Sequence, residues 1–210
     1  MNELGALFLS AFVTLFVIID PPGCAPIFAS LTRDAPSRER RSMAVRSVMI
    51  AGGILVFFAL LGEDLLEVLG IGLPAFRIAG GIMLFMIALD MVFERRTARR
   101  ESRAREIDAT PEIEDVAVFP MGIPMIAGPG SIASVMLIVG RSEGLEQTLT
   151  VFAALAAVLL LTLLALLAAG PLMRLLGHKM EAMLTRLLGV ILAALAAQFV
   201  IDGVNRAISV

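Results

Sequence analysis

Long apolar runs separated by short polar connections make up most of this chain. An α-helix that crosses a membrane needs about 20 apolar residues, and six of the runs are long enough. They cover residues 4–31, 44–61, 73–93, 116–140, 149–167 and 184–203. The pattern therefore predicts an all-α, polytopic membrane protein with six transmembrane helices in a single transmembrane domain.

Two of the six runs contain residues that cannot easily continue a helix. Asp20–Gly23 interrupts the first run, and Gly128–Gly130 interrupts the fourth. Proline has no amide hydrogen and clashes with the preceding turn, and glycine favours turns over helix. Interrupted spans in corresponding positions of two halves are typical of transporter binding sites. We therefore expect helices one and four to be broken.

The basic residues predict the orientation of the chain. They concentrate in the connections after spans one, three and five, whereas the connection after span two carries Glu63, Asp64 and Glu67 and no base. Connections rich in Lys and Arg stay on the cytoplasmic side of a membrane. The pattern predicts cytoplasmic Arg-rich connections and places both termini outside.

Short sequence matches indicate an internal repeat. Pro22-Gly23 corresponds to Pro129-Gly130, and Arg77-x-x-Gly80 corresponds to Arg186-x-x-Gly189. Each half holds three spans, so the second half must enter the membrane from the opposite side. This predicts an inverted repeat. Repeat one covers residues 4–93, a cytoplasmic linker covers 94–115, and repeat two covers 116–204.

The two breaks have a chemical consequence. Each broken span would restart as a half-helix, near Cys24 and near Ser131, with free amides and a positive dipole end directed at the interior. Such an end binds a carboxylate. Twelve helical residues before Gly128 would carry span four about 18 Å into the membrane. The predicted substrate-binding residues are Asp20, Gly23, Cys24, Gly128, Gly130, Ser131 and Gln198.

Each of these residues also has a structural interpretation. Asp20 could bind an ammonium group or carry a proton, since ionisable groups inside a span are expensive, or it could only cap the helix that begins at Pro21. The glycines and Ser131 could form a packing kink, Cys24 could be a small apolar filler, and Gln198 could bridge helices. We expect Arg77 to reach the membrane interface or to cap a helix C-terminus rather than to contact substrate.

Several function classes lack their residues in this sequence. It contains no HExxH, no GxSxG and no cluster of Cys and His, which disfavours a metalloprotease, a serine hydrolase and a metal site. A single cysteine, Cys24, excludes an intrachain disulfide. We expect no enzyme activity, no cofactor, no bound metal and no nucleic-acid partner.

Four motifs together resemble the MarC family. They are Asp20-Pro-Pro-Gly-Cys-Ala-Pro26, Phe76-Arg-Ile-Ala-Gly-Gly81, Phe119-Pro120 with Pro124 and Gly128-Pro-Gly-Ser-Ile132, and Gln198-Phe199 with Asp202-Gly203. The resemblance covers essentially the whole chain and implies a six-span protein of the cell inner membrane. With the orientation predicted above, both termini would then be periplasmic. The family includes members described as transporters of glycine and alanine, and it is distantly similar to lysine-exporter-like proteins.

These observations favour a secondary transporter of small neutral amino acids that works by alternating access. Glycine or alanine as substrate is implied by the resemblance alone. The alternative is a non-transporting membrane scaffold or stress-linked protein, in which the breaks serve only packing. The sequence leaves open the direction of transport, the coupling ion (a proton or sodium) and whether the protein forms a homo-oligomer in the bilayer.

Overall fold

The computed structural model describes residues 2–33, 35–93 and 116–208, without the side chains of 172–179 and 181–182. The linker predicted at 94–115 lies outside the described residues. The described chain forms α-helices and one irregular segment, Ala117–Ile126. The helices are α1 (Glu3–Ile19), α2 (Pro21–Leu31), α3 (Ser37–Val68), α4 (Leu73–Val92), α5 (Pro129–Val139), α6 (Gly144–Leu167) and α7 (Ala169–Ile208).

Among the described residues, five stretches of helix are long and apolar enough to cross a membrane. They are Glu3–Leu31, Ser37–Val68, Leu73–Val92, Gly144–Leu167 and Met183–Ile208. The irregular segment and α5 form a sixth candidate, bent by 53°. The all-α polytopic architecture is confirmed. Helix α3 is longer than its apolar run, because its polar ends contain Arg, Glu and Leu, which favour helix.

The break in span one is narrower than predicted. Only Asp20 leaves the helical conformation, and α2 already begins at Pro21, where proline is well suited to the first helical position. The Asp20 amide donates to the Phe16 carbonyl at 2.9 Å, and the Cys24 amide donates to the Asp20 carbonyl at 3.0 Å. Gly23 and Cys24 therefore lie within the first turn of α2 rather than in a gap.

The break in span four is wider than predicted. The expectation of twelve helical residues before Gly128 was wrong, because Phe119 and Ile123 are extended and each precedes a cis proline. Pro120 and Pro124 donate no amide hydrogen, and the remaining bonds span five residues, as from the Ala127 amide to the Gly122 carbonyl at 3.0 Å. The estimate of an 18 Å straight helix does not apply to this segment.

Helices α4 and α7 pack along their lengths in opposite directions. Gly81 lies against Ala196, whereas Gly203 lies against Pro74 near the other end of the contact. A Cβ on Gly81 would be only 2.9 Å from the Ala196 carbonyl oxygen. Small residues allow helix backbones to approach this closely in membranes. The glycines of these two helices are therefore packing points.

The remaining packing joins the first half of the chain to the second. Helices α1 and α2 pack on α6, and in the same way α5 and the irregular segment pack on α3. Helix α7 contacts α1 and α2, and α4 contacts α5. The contacts of the first half with the second thus mirror those of the second half with the first. An inverted repeat requires this correspondence. The inverted repeat itself stays a prediction.

Candidate substrate site

Asp20 lies at the junction of α1 and α2 and is 1% exposed. Its backbone is left-handed, with φ 57° and ψ 65°, and among the described residues it alone has a positive φ without being glycine. Aspartate tolerates this conformation better than most residues. The Asp20 Oδ1 atom accepts a hydrogen bond from the Gly23 amide at 3.1 Å. The side chain is therefore an N-cap of α2, as one of the two interpretations of Asp20 predicts.

The predicted free amides at the start of α2 are absent. Pro21 and Pro22 have no amide hydrogen, and the Gly23 amide is taken by Asp20. The Gly23 position is also closed on its other side, because a Cβ there would lie 2.7 Å from the Asp20 Cγ. The first turn of α2 is therefore already capped by the Asp20 carboxylate and has no amide left for the carboxylate of a substrate. The expectation that both half-helices bind a substrate carboxylate is wrong for α2.

The C-terminus of α1 instead presents negative charge. In a continuous helix the Val17 carbonyl would accept from the amide at position 21, but Pro21 has no amide hydrogen. The Ile19 carbonyl loses the Gly23 amide to Asp20 and accepts the Cys24 thiol at 3.4 Å instead. Partial negative charge collects at a helix C-terminus. Together with the Asp20 carboxylate, this end of α1 is suited to a cation.

The N-terminus of α5 keeps its amides, as predicted. Its N-cap residue, Gly128, has no side chain to accept a hydrogen bond, and Pro129 occupies the first helical position. Within the described residues, the Gly130 and Ser131 amides donate no hydrogen bond. Both residues are buried, so water does not reach these donors from the surface. This end of α5 is suited to an anion.

Ser134 adds a polar group that the sequence interpretation missed. It lies one turn after Gly130 on the same face of α5, is fully buried, and its Oγ has no hydrogen-bond partner among the described residues. A hydroxyl inside a span usually bonds to a carbonyl of the preceding turn. Its spacing of four residues from Gly130 was the signal that could have identified it.

The two helix ends lie next to each other. A Cβ on Gly130 would be 3.5 Å from the Ile18 Cγ2, and Ile18 precedes Asp20 by two residues. The same Cβ would be 2.7 Å from the Ile87 Cδ1 and 3.3 Å from a Leu84 methyl. The cation-attracting end of α1 and the anion-attracting end of α5 therefore meet behind an apolar wall. In this conformation the wall leaves no room for a methyl group at Gly130.

The structure does not bring Gln198 to these helix ends. Gln198 is exposed, and its Nε2 donates to the Asp202 Oδ1 at 2.7 Å. The Asp202 Oδ2 is paired with Arg141 at 2.5 Å, and the Arg141 guanidinium lies over the Phe199 ring. Arg141 follows the C-terminus of α5, whose 11 residues span about 16 Å. This polar cluster is therefore about one helix length away from Gly130.

Arg77 is the most buried large polar side chain of the described residues. It is 1% exposed, and its Nε, NH1 and NH2 atoms have no hydrogen-bond partner among those residues. It therefore neither reaches the interface nor caps a helix C-terminus, contrary to expectation. An unpaired buried charge costs several kcal/mol. The isolated charge within the apolar run 73–93 was the signal in the sequence.

A cavity of about 410 Å³ opens at a different place, where α2 ends and α3 begins. Its lining residues are Phe28, Ser37, Arg40, Arg41, Leu166 and Leu167. None of the predicted substrate-binding residues lines it. In the described parts of the chain, no three His, Cys, Asp or Glu side chains are grouped as a metal site requires.

Comparison with known proteins identifies the family. The model of the MarC family of integral membrane proteins matches residues 5–208. A UPF0056 membrane protein of Methanocaldococcus jannaschii, MJ1677, is 38% identical over 96% of this chain and 97% of its own length. A UPF0056 membrane protein of Aquifex aeolicus is 34% identical over 98% of this chain and 96% of its own.

The name of one bacterial relative states its cellular location. The UPF0056 inner membrane protein YhgN of Escherichia coli is 35% identical over 66% of this chain and 64% of its own length. No solved structure matches the chain. The family match covers nearly all of the sequence, and the fold has the long apolar helices of an integral membrane protein. This chain belongs to the MarC family of integral membrane proteins.

Proposed function

We propose that this protein is a secondary transporter of small neutral amino acids, with glycine and alanine as substrates, rather than an enzyme. The observation that carries the proposal is the contact between two helix ends of opposite polarity inside a membrane protein. The end of α1 offers the negative end of its helix dipole and the Asp20 carboxylate, and the start of α5 offers the amides of Gly130 and Ser131.

The charges of an amino acid zwitterion match this arrangement. Its ammonium group fits the carbonyl end of α1 beside Asp20, and its carboxylate fits the amides of α5, where the helix dipole favours a negative charge. The Ser134 hydroxyl is one turn further along α5 and supplies another hydrogen-bonding group. Neither end contains a basic side chain, so discrimination rests on backbone groups and on Asp20.

The apolar wall supports a small substrate. Ile18, Leu84 and Ile87 close around Gly130 so tightly that a substrate enters only when these side chains move. A closed site around the broken helices is what one state of an alternating-access cycle requires. The exchangeable packing of the two halves, α1 on α6 and α5 on α3, supports an inverted repeat that rocks about this site.

Uptake into proteoliposomes tests the proposal. Radiolabelled glycine and alanine are offered with no gradient, with a pH gradient and with a sodium gradient, and wild-type protein is expected to take up at least one of them. Asp20→Asn keeps the cap and the left-handed backbone but removes the charge, so we expect about a ten- to hundredfold loss of uptake. Unchanged uptake by this variant at every pH would remove Asp20 from the mechanism.

Ser134→Ala and Ser10→Ala form a matched pair. Ser134 is buried beside the proposed site, whereas Ser10 is exposed on α1. Ser134→Ala is expected to weaken uptake and Ser10→Ala to leave it unchanged. Absence of flux for every small amino acid in folded wild-type protein would favour the alternative, a membrane scaffold whose breaks only shape the packing.

A further inference from the structure

We propose a second binding site, for an oxyanion, formed by Arg77 and Arg141 beside Asp202; we refer to these three residues as the Arg77 site. Its ligand is a carboxylate or phosphate group, presented either by a small solute or by a lipid headgroup. The site lies about one length of α5 from the proposed substrate site, and the inference does not depend on the proposed transport function.

The first argument is the isolation of the Arg77 charge. All three guanidinium nitrogens are without partners in the described chain, at 1% exposure. Buried charges in proteins are paired, because an apolar surrounding destabilises an isolated charge strongly. A water molecule would satisfy the hydrogen bonds but would leave the charge uncompensated. A bound anion satisfies both requirements.

The second argument is that, within the described residues, the carboxylate beside Arg77 already has other partners. Asp202 is close to Arg77, because the glycine that follows Asp202 packs against the residue that follows Arg77. Both Asp202 oxygens are taken, one by Arg141 and one by Gln198. Arg141 adds further positive charge at this carboxylate, and its Nε is itself buried without a partner in the described part of the chain. Two guanidinium groups therefore lie beside one carboxylate, and this imbalance attracts an anion.

The third argument is the position of Arg77 on its helix. Side chains of an α-helix lean toward its N-terminus, so Arg77 extends over the first turn of α4. That turn begins at Leu73 behind Gly72, which offers no capping side chain. The helix dipole there repels the Arg77 cation and attracts an anion. The planar guanidinium fork then favours a carboxylate or phosphate, which it can bind with two parallel hydrogen bonds.

Thermal unfolding of the full chain in neutral detergent, after removal of lipid, tests the site. The protein has no Trp or Tyr, but its single cysteine, Cys24, is fully buried, so a maleimide that fluoresces on reaction reports unfolding. Sodium acetate and sodium phosphate are compared with sodium chloride at equal ionic strength. A separate arm compares phosphatidylglycerol with phosphatidylcholine. The unfolding temperature is expected to rise saturably, by about 5 °C when the anion is present at roughly 100 times its dissociation constant.

The variants decide whether Arg77 is responsible. Arg77→Met is expected to abolish the rise and, in chloride alone, to unfold at a higher temperature than wild type because the unpaired charge is gone. Arg186→Met, which changes an exposed arginine of α7, should keep the rise. If Arg77→Met does not fold, Arg77→Lys retains the charge without the fork and should respond more weakly.

A response to acetate or phosphate supports a solute ligand, and a response to phosphatidylglycerol alone supports a lipid headgroup. The inference is overturned if folded wild-type protein responds in neither arm, or if Arg77→Met responds as wild type does. Neither result bears on amino acid uptake, so the two proposals fail separately.

Discussion

The Asp20 carboxylate caps α2 through the Gly23 amide at 3.1 Å, and it occupies the space that a side chain at position 23 would need. The two residues are thus linked twice, by a hydrogen bond and by contact. This relationship explains why a glycine stands inside the first turn of a helix, where it is otherwise unfavourable. It also keeps the carboxylate buried at the junction of α1 and α2.

Gly23→Ala is expected to destabilise the protein. A Cβ would lie 2.7 Å from the Asp20 Cγ and would displace the carboxylate from its amide, at the cost of a helix cap, about 1–2 kcal/mol. The measurement is the unfolding midpoint from Cys24 labelling. Gly53→Ala is the control, because no atom lies within 4 Å of a Cβ there. Equal midpoints for the two variants would contradict the contact.

Asp20→Ala and Asp20→Asn should differ in stability. Alanine loses the cap and is strained by the left-handed backbone, together about 2–4 kcal/mol, whereas asparagine retains both functions. The unfolding midpoint of Asp20→Asn should therefore stay near that of wild type, well above that of Asp20→Ala. If the unfolding midpoints of both variants were lowered equally, the Asp20 charge rather than its cap would stabilise the junction of α1 and α2.

Gly130→Ala should be rescued in part by a change at Ile87. The added methyl would lie 2.7 Å from the Ile87 Cδ1, and overpacking of this kind costs about 1–3 kcal/mol. Ile87→Val removes that atom. A double-mutant cycle on the unfolding midpoints is expected to show a favourable coupling of at least about 0.5 kcal/mol. Strict additivity would mean that the two residues do not touch.

Gly81→Ala should separate α4 from α7. Its Cβ would meet the Ala196 carbonyl at 2.9 Å and the Val200 amide nitrogen at 3.0 Å, and backbone atoms cannot move aside as side chains do. We expect a larger loss of stability than from Gly23→Ala, where the obstructing group is a side chain. Gly53→Ala again serves as the control. A midpoint above that of Gly23→Ala would contradict this packing.

Cysteine labelling tests the predicted orientation. Arg38 and Glu67 are exposed near opposite ends of α3, and the native Cys24 is buried. In intact cells a membrane-impermeant maleimide should label Glu67→Cys, whereas Arg38→Cys should react only after permeabilisation, because Arg-rich connections remain in the cytoplasm. The reverse pattern would invert the orientation and place both termini inside.

The interruption of span four shows where the sequence interpretation fell short. Gly128–Gly130 was identified as a break, but Pro120 and Pro124 were not recognised as earlier ones, although their missing amides were visible in the sequence. The resulting segment is irregular from Phe119 onward. In span one, by contrast, Asp20 followed by Pro21 correctly predicted a cap, because that signal is local to one turn.

Local chemistry determined the spans and their breaks. Apolar runs of membrane-spanning length form helices because the bilayer leaves no other partner for backbone groups, and prolines at 21, 22 and 129 end or start those helices wherever they pack. Only the tertiary structure decided which polar groups meet. Arg77 is buried, and Gln198 is kept away from the broken helices, because α4, α5 and α7 pack together, and such contacts depend on residues far apart in the chain.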